Sequence, residues 1–239
     1  MGFRPVKSSA KPRPLVLALL AAEATSTSAI DGADVVLVRT QGEKLPAKKV
    51  KELDKAFGGT IWGVWLEAVD DSLSRMAESG IDFVAFPPGV RLLPLLEAEK
   101  LGRIMIIDPG MTENLLRSLD SLDIGAVIVS REPGQPSDLS WRQLMMLQRV
   151  AETVGKPLLV FVTGNVSLEE LKTLWAIGIE GVVVDVAQSP EALASLRALV
   201  DGAEWTTRRR RGRMALVPSV PVEAPPVSRE EPEEPDEDV

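Results

Sequence analysis

Short hydrophobic runs of five to seven residues, most of them closed by a polar residue, glycine or proline, recur along the chain from residue 15 to residue 186. Eight such runs begin near Leu15, Asp34, Ile61, Asp82, Arg103, Ala126, Pro157 and Gly181, and successive starts lie 19 to 31 residues apart. One strand plus the helix that carries the chain back to the next parallel strand takes about that length. Four runs are introduced by a similar phrase, Asp31-Gly-Ala-Asp34, Ser79-Gly-Ile-Asp82, Leu122-Asp-Ile-Gly125 and Ile177-Gly-Ile-Glu180, in which a helix stops and the chain turns into a strand.

The runs are apolar on both faces, as in Val35-Val-Leu-Val38, Ile104-Met-Ile-Ile107 and Val182-Val-Val184. Strands of that kind belong to a parallel sheet covered on both sides. Alternation of such strands with helices leaves a closed barrel or an open doubly wound sheet. Regular spacing and a count of eight favour the barrel, and no Gly-x-Gly-x-x-Gly follows the first run as an open dinucleotide fold would want.

Between the runs, helix signals are conventional. Pro46 suits an early helical position and Gly58-Gly59 stops that helix. Asp70 or Asp71 can cap a helix that buries Leu73, Met76 and Ala77. Ser140-Trp-Arg-Gln143 and Ser167-Leu-Glu-Glu170 read as capping boxes, and Ser189-Pro190 as an N-cap with a first-turn proline. Residues 21–33 contain Thr25-Ser-Thr-Ser28, poor helix formers, so the first helix is expected to be short or missing.

Composition divides the chain into three parts. Residues 1–13 form a basic extension of net charge +4, residues 14–204 an α/β body of net charge −10, and residues 205–239 a tail of net charge −2. In that tail Arg208-Arg-Arg-Arg211 and Arg213 precede six prolines and a terminal decapeptide with seven acids. A segment so composed buries too little to fold and is expected to be disordered, either an inert solubilising tail or a segment that recruits a protein partner. The acidic body repels phosphate backbones, which excludes duplex nucleic acid as its main partner. Arg4 to Arg13 followed by Leu15–Ala22 imitates a secretory leader. The same apolar residues are needed as the first strand if eight are to close a ring. No run approaches the ~18 apolar residues of a membrane span, and a cytoplasmic location is expected.

The chain has no Cys, His or Tyr. Thiolate nucleophiles, disulfides, Cys/His zinc sites, the Ser-His-Asp triad and imidazole acid–base chemistry are thereby excluded. No run contains a lysine, and Lys100 and Lys156 precede strands, at the wrong end for a Schiff-base amine inside a barrel.

Barrel active sites gather at the C-terminal ends of the strands. Those positions carry Arg39, Glu67, Asp108, Arg131 and Asp185, among other polar residues. Glu67, Asp108 and Asp185 are the candidate catalytic acids and, jointly, the candidate oxygen ligands of a Mg²⁺ ion; Arg39 and Arg131 are the candidate anion clamps. Acids in such places also cap helices or pair with arginines, so a structural reading of each stands beside the catalytic one.

From Leu158 to Val186 the order strand, Thr163-Gly-Asn165, capped helix, Gly178-Ile-Glu-Gly181, Val-Val-Val resembles the aldolase-type and phosphate-binding barrels of the (βα)8 TIM-barrel superfamily. The resemblance implies a small (βα)8 barrel in which backbone N–H groups after strands seven and eight hold a phosphate, at Gly164, Asn165, Gln188 and Ser189 here. The implied function is binding of a small anionic metabolite, phosphorylated or carboxylated, with Mg²⁺-dependent lyase or isomerase chemistry. The alternative is a non-catalytic barrel that acts as a binding or scaffold protein, and a flavin-binding barrel is a weaker third.

Overall fold

The computed structural model describes residues 13–22, 30–40, 45–68, 73, 76, 78–131, 139–163, 165–186 and 190–205. The extension up to residue 12, the tail from residue 206, Asp70, Asp71, Ala77, Gly164, Gln188 and Ser189 lie outside these residues, as does most of the segment expected to hold a short first helix.

Eight parallel strands close into a barrel in sequence order, with β1 pairing β8. They are β1 (Leu15–Ala21), β2 (Val35–Arg39), β3 (Ile61–Trp65), β4 (Phe83–Phe86), β5 (Gly102–Ile107), β6 (Ala126–Val129), β7 (Leu158–Val162) and β8 (Gly181–Asp185). Each begins within one residue of the start read from the hydrophobic pattern. The apolar stretch after Arg13 is thus the first strand of the ring.

The helices are α1 (Ala47–Phe57), α2 (Leu92–Glu97), α3 (Glu113–Ser118), α4 (Trp141–Thr153), α5 (Leu168–Ile177) and α6 (Pro190–Gly202), with helical, buried Leu73 and Met76 between β3 and β4. Both capping boxes form: the Ser140 and Ser167 hydroxyls accept from the backbone N–H of Gln143 and Glu170, whose side chains accept from the serine N–H groups in return. Gly58, in the left-handed region at φ 60°, ends α1. No helix among the described residues is long and apolar enough to cross a membrane.

Strand alternation splits the hydrophobic core in two. Leu17, Leu19, Leu37, Phe83, Ala85, Ile106, Ile128, Leu159 and Val183 fill the barrel. Their neighbours, Val16, Val36, Val64, Val84, Val127, Val160 and Val182 among them, face outward and pack under Val50, Leu53, Leu116, Val150, Leu171 and Leu196 of the helices. Gly63 makes the interior possible at one tight point. A Cβ there would stand 2.5 Å from the Phe83 ring and the Phe83 carbonyl oxygen, so the strand must be bare where that ring crosses it.

The turn phrases set register. Asp34 and Asp82 each sit one residue before a strand; their carboxylates accept the N–H of Val16 and of Trp62 at 3.0 Å, while their own N–H groups donate to the carbonyls of those same residues. The N-terminal end of the barrel is further tied by Asp34, which receives Arg13 at 2.7 Å and Arg197 of α6 at 3.1 Å.

Candidate functional site

The C-terminal mouth of the barrel is where the ends of eight strands bring distant residues together. In each strand the parity of the buried interior residues decides which terminal side chain turns toward the axis. Leu37 is interior, so Arg39 two residues on faces inward; Val183 is interior, so Asp185 does too. Trp65 and Phe161 pack against the interior from β3 and β7 and complete this last layer.

Trp65 and Phe161 come from strands on opposite sides of the ring and touch across it, with ring centroids 5.8 Å apart. The Arg39 guanidinium carbon lies 4.0 Å from the centroid of a Trp65 ring, in cation–π range. Its Nε is buried and has no hydrogen-bond partner among the described residues. Behind it, the Thr40 hydroxyl, facing the helix layer, donates to the Trp65 carbonyl at 3.0 Å and fixes the end of β2 to the end of β3. The mouth therefore has an aromatic floor and, on one side of it, a cation with an N–H unspent.

The acids are spread around the rim. Asp185 ends β8 half-buried beside β1, where it is level with Leu19. Glu67 and Asp108 are exposed beyond the ends of β3 and β5. One Asp108 oxygen accepts the Gly110 N–H at 2.5 Å, closing the Asp108-Pro109-Gly110 turn. Among the described residues no three acidic side chains gather closely enough to hold a metal ion. Glu67, Asp108 and Asp185 thus do not assemble the joint Mg²⁺ site that the sequence suggested.

Arg131, read from the sequence as a second anion clamp beside Arg39, lies two residues beyond the end of β6. It borders a cavity of about 60 Å³ at the ends of β6 and β7 beside helices α4 and α5, which Phe161 of the mouth also lines. Val129, Leu147, Val160, Val162, Val166 and Leu174 supply apolar wall. Ser130, Arg131, Gln143, Thr163 and Glu170 supply the polar part. Asn165, exposed just before α5, does not line this cavity. Two long-range bonds frame it. Arg149 donates to the Pro109 carbonyl at 2.6 Å, and the Leu139 N–H donates to Glu170 at 3.3 Å. The N–H and hydroxyl of Ser167 hold the Glu170 carboxyl below its ordinary pKa, with Leu139 adding to the effect and burial opposing it.

Sequence reasoning passed over Trp65 and Phe161 because aromatic residues within an apolar strand read as core. The available signal was their place as the last inward residue of a strand.

Comparison of the sequence with family models and with curated proteins finds no match. Comparison of the fold with solved structures finds many. Two mutants of the tryptophan synthase α-subunit of Pyrococcus furiosus superpose with TM-scores of 0.61 and 0.60 at 16% and 18% identity, over 80% of this chain and 98% and 97% of theirs. A chain of Mycobacterium tuberculosis tryptophan synthase superposes with a TM-score of 0.57 at 19% identity, over 79% of this chain and 90% of that one. Similarity at that identity establishes architecture: the chain has a (βα)8 barrel fold.

Proposed function

We propose that this chain is an aldolase-type barrel protein that binds a small anionic metabolite, phosphorylated or carboxylated, at the C-terminal mouth, where Arg39 is its anchor. The observation that carries the reading is the buried Arg39 Nε with no partner among the described residues, held against Trp65 on the inward face of β2. A buried donor left unpaired costs about 1–3 kcal/mol. An anion that accepts from it recovers that cost and is held by charge as well as by hydrogen bonds. Asp185 is the acid placed to exchange a proton with such a ligand, and Glu67 and Asp108 stand further out on the rim in the same role. Lyase or isomerase chemistry needs no more than an oriented anion and one acid–base pair. Gly164, Asn165, Gln188 and Ser189 are the backbone positions that would hold a phosphate, and Mg²⁺, if required, would bridge ligand and acid rather than rest on three protein carboxylates.

The test is a thermal-shift and titration screen of the full chain against sugar phosphates and 2-oxo acids, each with and without Mg²⁺. A ligand at a hundred times its Kd adds about 2.7 kcal/mol, or a rise of ~5–11 °C for a chain of this size. Arg39→Met keeps a stem over Trp65 and removes the charge; it should abolish the shift. Asp185→Asn should retain binding and remove turnover. No shift with any compound, or an unaltered shift in Arg39→Met, overturns the proposal.

One observation favours the scaffold reading as a second. On α2, Leu92 and Leu93 are 66% and 60% exposed, with Leu96 one turn on, and Leu115 is exposed on the next helix around the ring. Large apolar side chains exposed together on one short helix favour contact with another macromolecule. If that surface is used, Leu92→Glu with Leu96→Glu should change the hydrodynamic size or remove a co-purifying partner without altering the melting curve of the barrel.

A further inference from the structure

We propose that α2 is a self-association surface, through which two copies of this chain pair about a two-fold axis with their α2 helices antiparallel. The proposal rests on the scaffold reading, in which the exposed leucines of α2 contact another macromolecule, and it names that macromolecule.

Helix geometry separates the buried residues of α2 from the exposed ones. At about 100° per residue, Leu92, Leu96, Leu93 and Glu97 follow one another around one arc of the helix, and Pro94 and Leu95 lie on the other. The second arc is buried. On the first, the three leucines are half to two-thirds exposed. A helix that turns this face to water carries polar residues there.

The surface is also fixed in place. Arg103 of β5 donates from Nε and Nη2 to the Leu95 carbonyl at 3.1 and 2.8 Å, and the Leu95 side chain is buried, so the C-terminal turn of α2 is held to the barrel by backbone and side chain together. A surface ordered in advance loses little freedom on contact.

Charge selects the partner. Arg91 immediately precedes the helix and Glu97 ends it, and both are exposed. When two such helices lie antiparallel across a two-fold axis near residue 94, Leu92 of each copy stands opposite Leu96 of the other and Arg91 opposite Glu97, so every attraction occurs twice. The patch is complementary to itself, with an apolar centre and a charged rim. A parallel pairing would set arginine against arginine and glutamate against glutamate. One short helix from each copy makes a small contact, and its Kd is expected above about 1 µM.

The experiment is sedimentation velocity on the full chain over concentrations from about 1 µM to about 1 mM. The mass should rise from one copy toward two and no further. Leu92→Glu with Leu96→Glu should hold the chain monomeric with an unchanged melting curve. Arg91→Glu and Glu97→Arg should each weaken association about tenfold, because each turns two attractions into two repulsions. Mixed one to one, those two variants should pair again, and a chain carrying both changes should associate as the unaltered chain does. A contact without the antiparallel register gives no such recovery. A chain that stays monomeric throughout, association that the leucine changes leave intact, or charge variants that fail to recover on mixing overturns the proposal. A monomeric chain that loses a co-purifying partner on Leu92→Glu with Leu96→Glu would refute self-pairing and leave the scaffold reading of the surface intact.

Discussion

Asp34 is the residue whose removal most directly tests how the ring is closed. Its carboxylate, with 21% of the side chain exposed, accepts the Val16 N–H at 3.0 Å, Arg13 at 2.7 Å and Arg197 at 3.1 Å to both oxygens. It thereby joins β1, β2 and α6 at the N-terminal end of the barrel. Burial works against the Arg197 charge, yet Asp201 and Asp34 together raise its pKa above the ordinary value. Hydrogen bonds to charged groups contribute about 1.5–3 kcal/mol when buried, and exposed ion pairs ~0–1. A site one-fifth exposed lies between, at about 1 kcal/mol for each arginine and about 1 for the backbone bond. Asp34→Ala should therefore destabilise by about 3 kcal/mol and lower Tm by ~6–12 °C. Asp34→Asn keeps an acceptor for Val16 and should lose about 2 kcal/mol. A double-mutant cycle with Arg197→Met, followed by urea denaturation, should return a coupling of about 1 kcal/mol. Ligand affinity at the mouth should not change, because the network lies at the opposite end of the strands. The reasoning is refuted if Asp34→Ala and Asp34→Asn are equal and both lose under 0.5 kcal/mol, or if the coupling is zero.

Three further outcomes follow from the geometry. Gly63→Ala drives a Cβ to 2.5 Å from the Phe83 ring and backbone; it should lose ~1–3 kcal/mol by overpacking, part of it restored by Phe83→Leu in the same chain, as measured by thermal melts. Glu170→Ala removes the α5 capping box and the Leu139 bond and should lose about 1 kcal/mol at pH 7. Because the folded Glu170 pKa is lowered, its contribution is complete above the unfolded value near 4.3 and is lost as pH falls through the folded one; the difference between wild type and Glu170→Ala should shrink at pH 3 in denaturant titrations. Trp205→Ala removes an indole that packs edge-on against Trp175 at 5.8 Å and donates to the Val200 carbonyl at 2.8 Å; loss of that contact should red-shift Trp175 emission.

The fold was legible because three independent patterns agree. Apolar runs mark the strands, Ser-x-x-Gln and Ser-x-x-Glu mark two helix starts, and the Asp-bearing turn phrases mark entry into β2 and β4, where Asp34 and Asp82 then hold the register. The candidate site was legible only in part. Strand-end position singled out Arg39 and Asp185, but it pooled them with Arg131, which lies in the loop two residues past β6, where strand alternation no longer fixes the direction of a side chain. Asp108 illustrates a second limit. A carboxylate two residues before a glycine serves an Asx turn as readily as it serves a ligand, and only coordinates reveal the bond to Gly110. No pattern in the sequence marks the lateral cavity, since it arises from how Leu147 and Leu174 on two helices meet two strands.

The aromatic contact across the mouth constrains what chemistry the barrel can host. Strands three and seven stand half a ring apart, so Trp65 and Phe161 in contact span the full width of the last interior layer. With the rest of the interior filled by Leu19, Leu37, Ala85, Ile106 and Ile128, a ligand on the axis would rest on packed side chains rather than enter the barrel. Its charged group must then lie at the edge of the floor, where Arg39 is, and any proton transfer must come from residues that rise above the floor, which Asp185 at the end of β8 can do. A ligand held from below by an aromatic plane and from one side by a guanidinium is fixed in orientation with few contacts, which suits a small metabolite and excludes a long one.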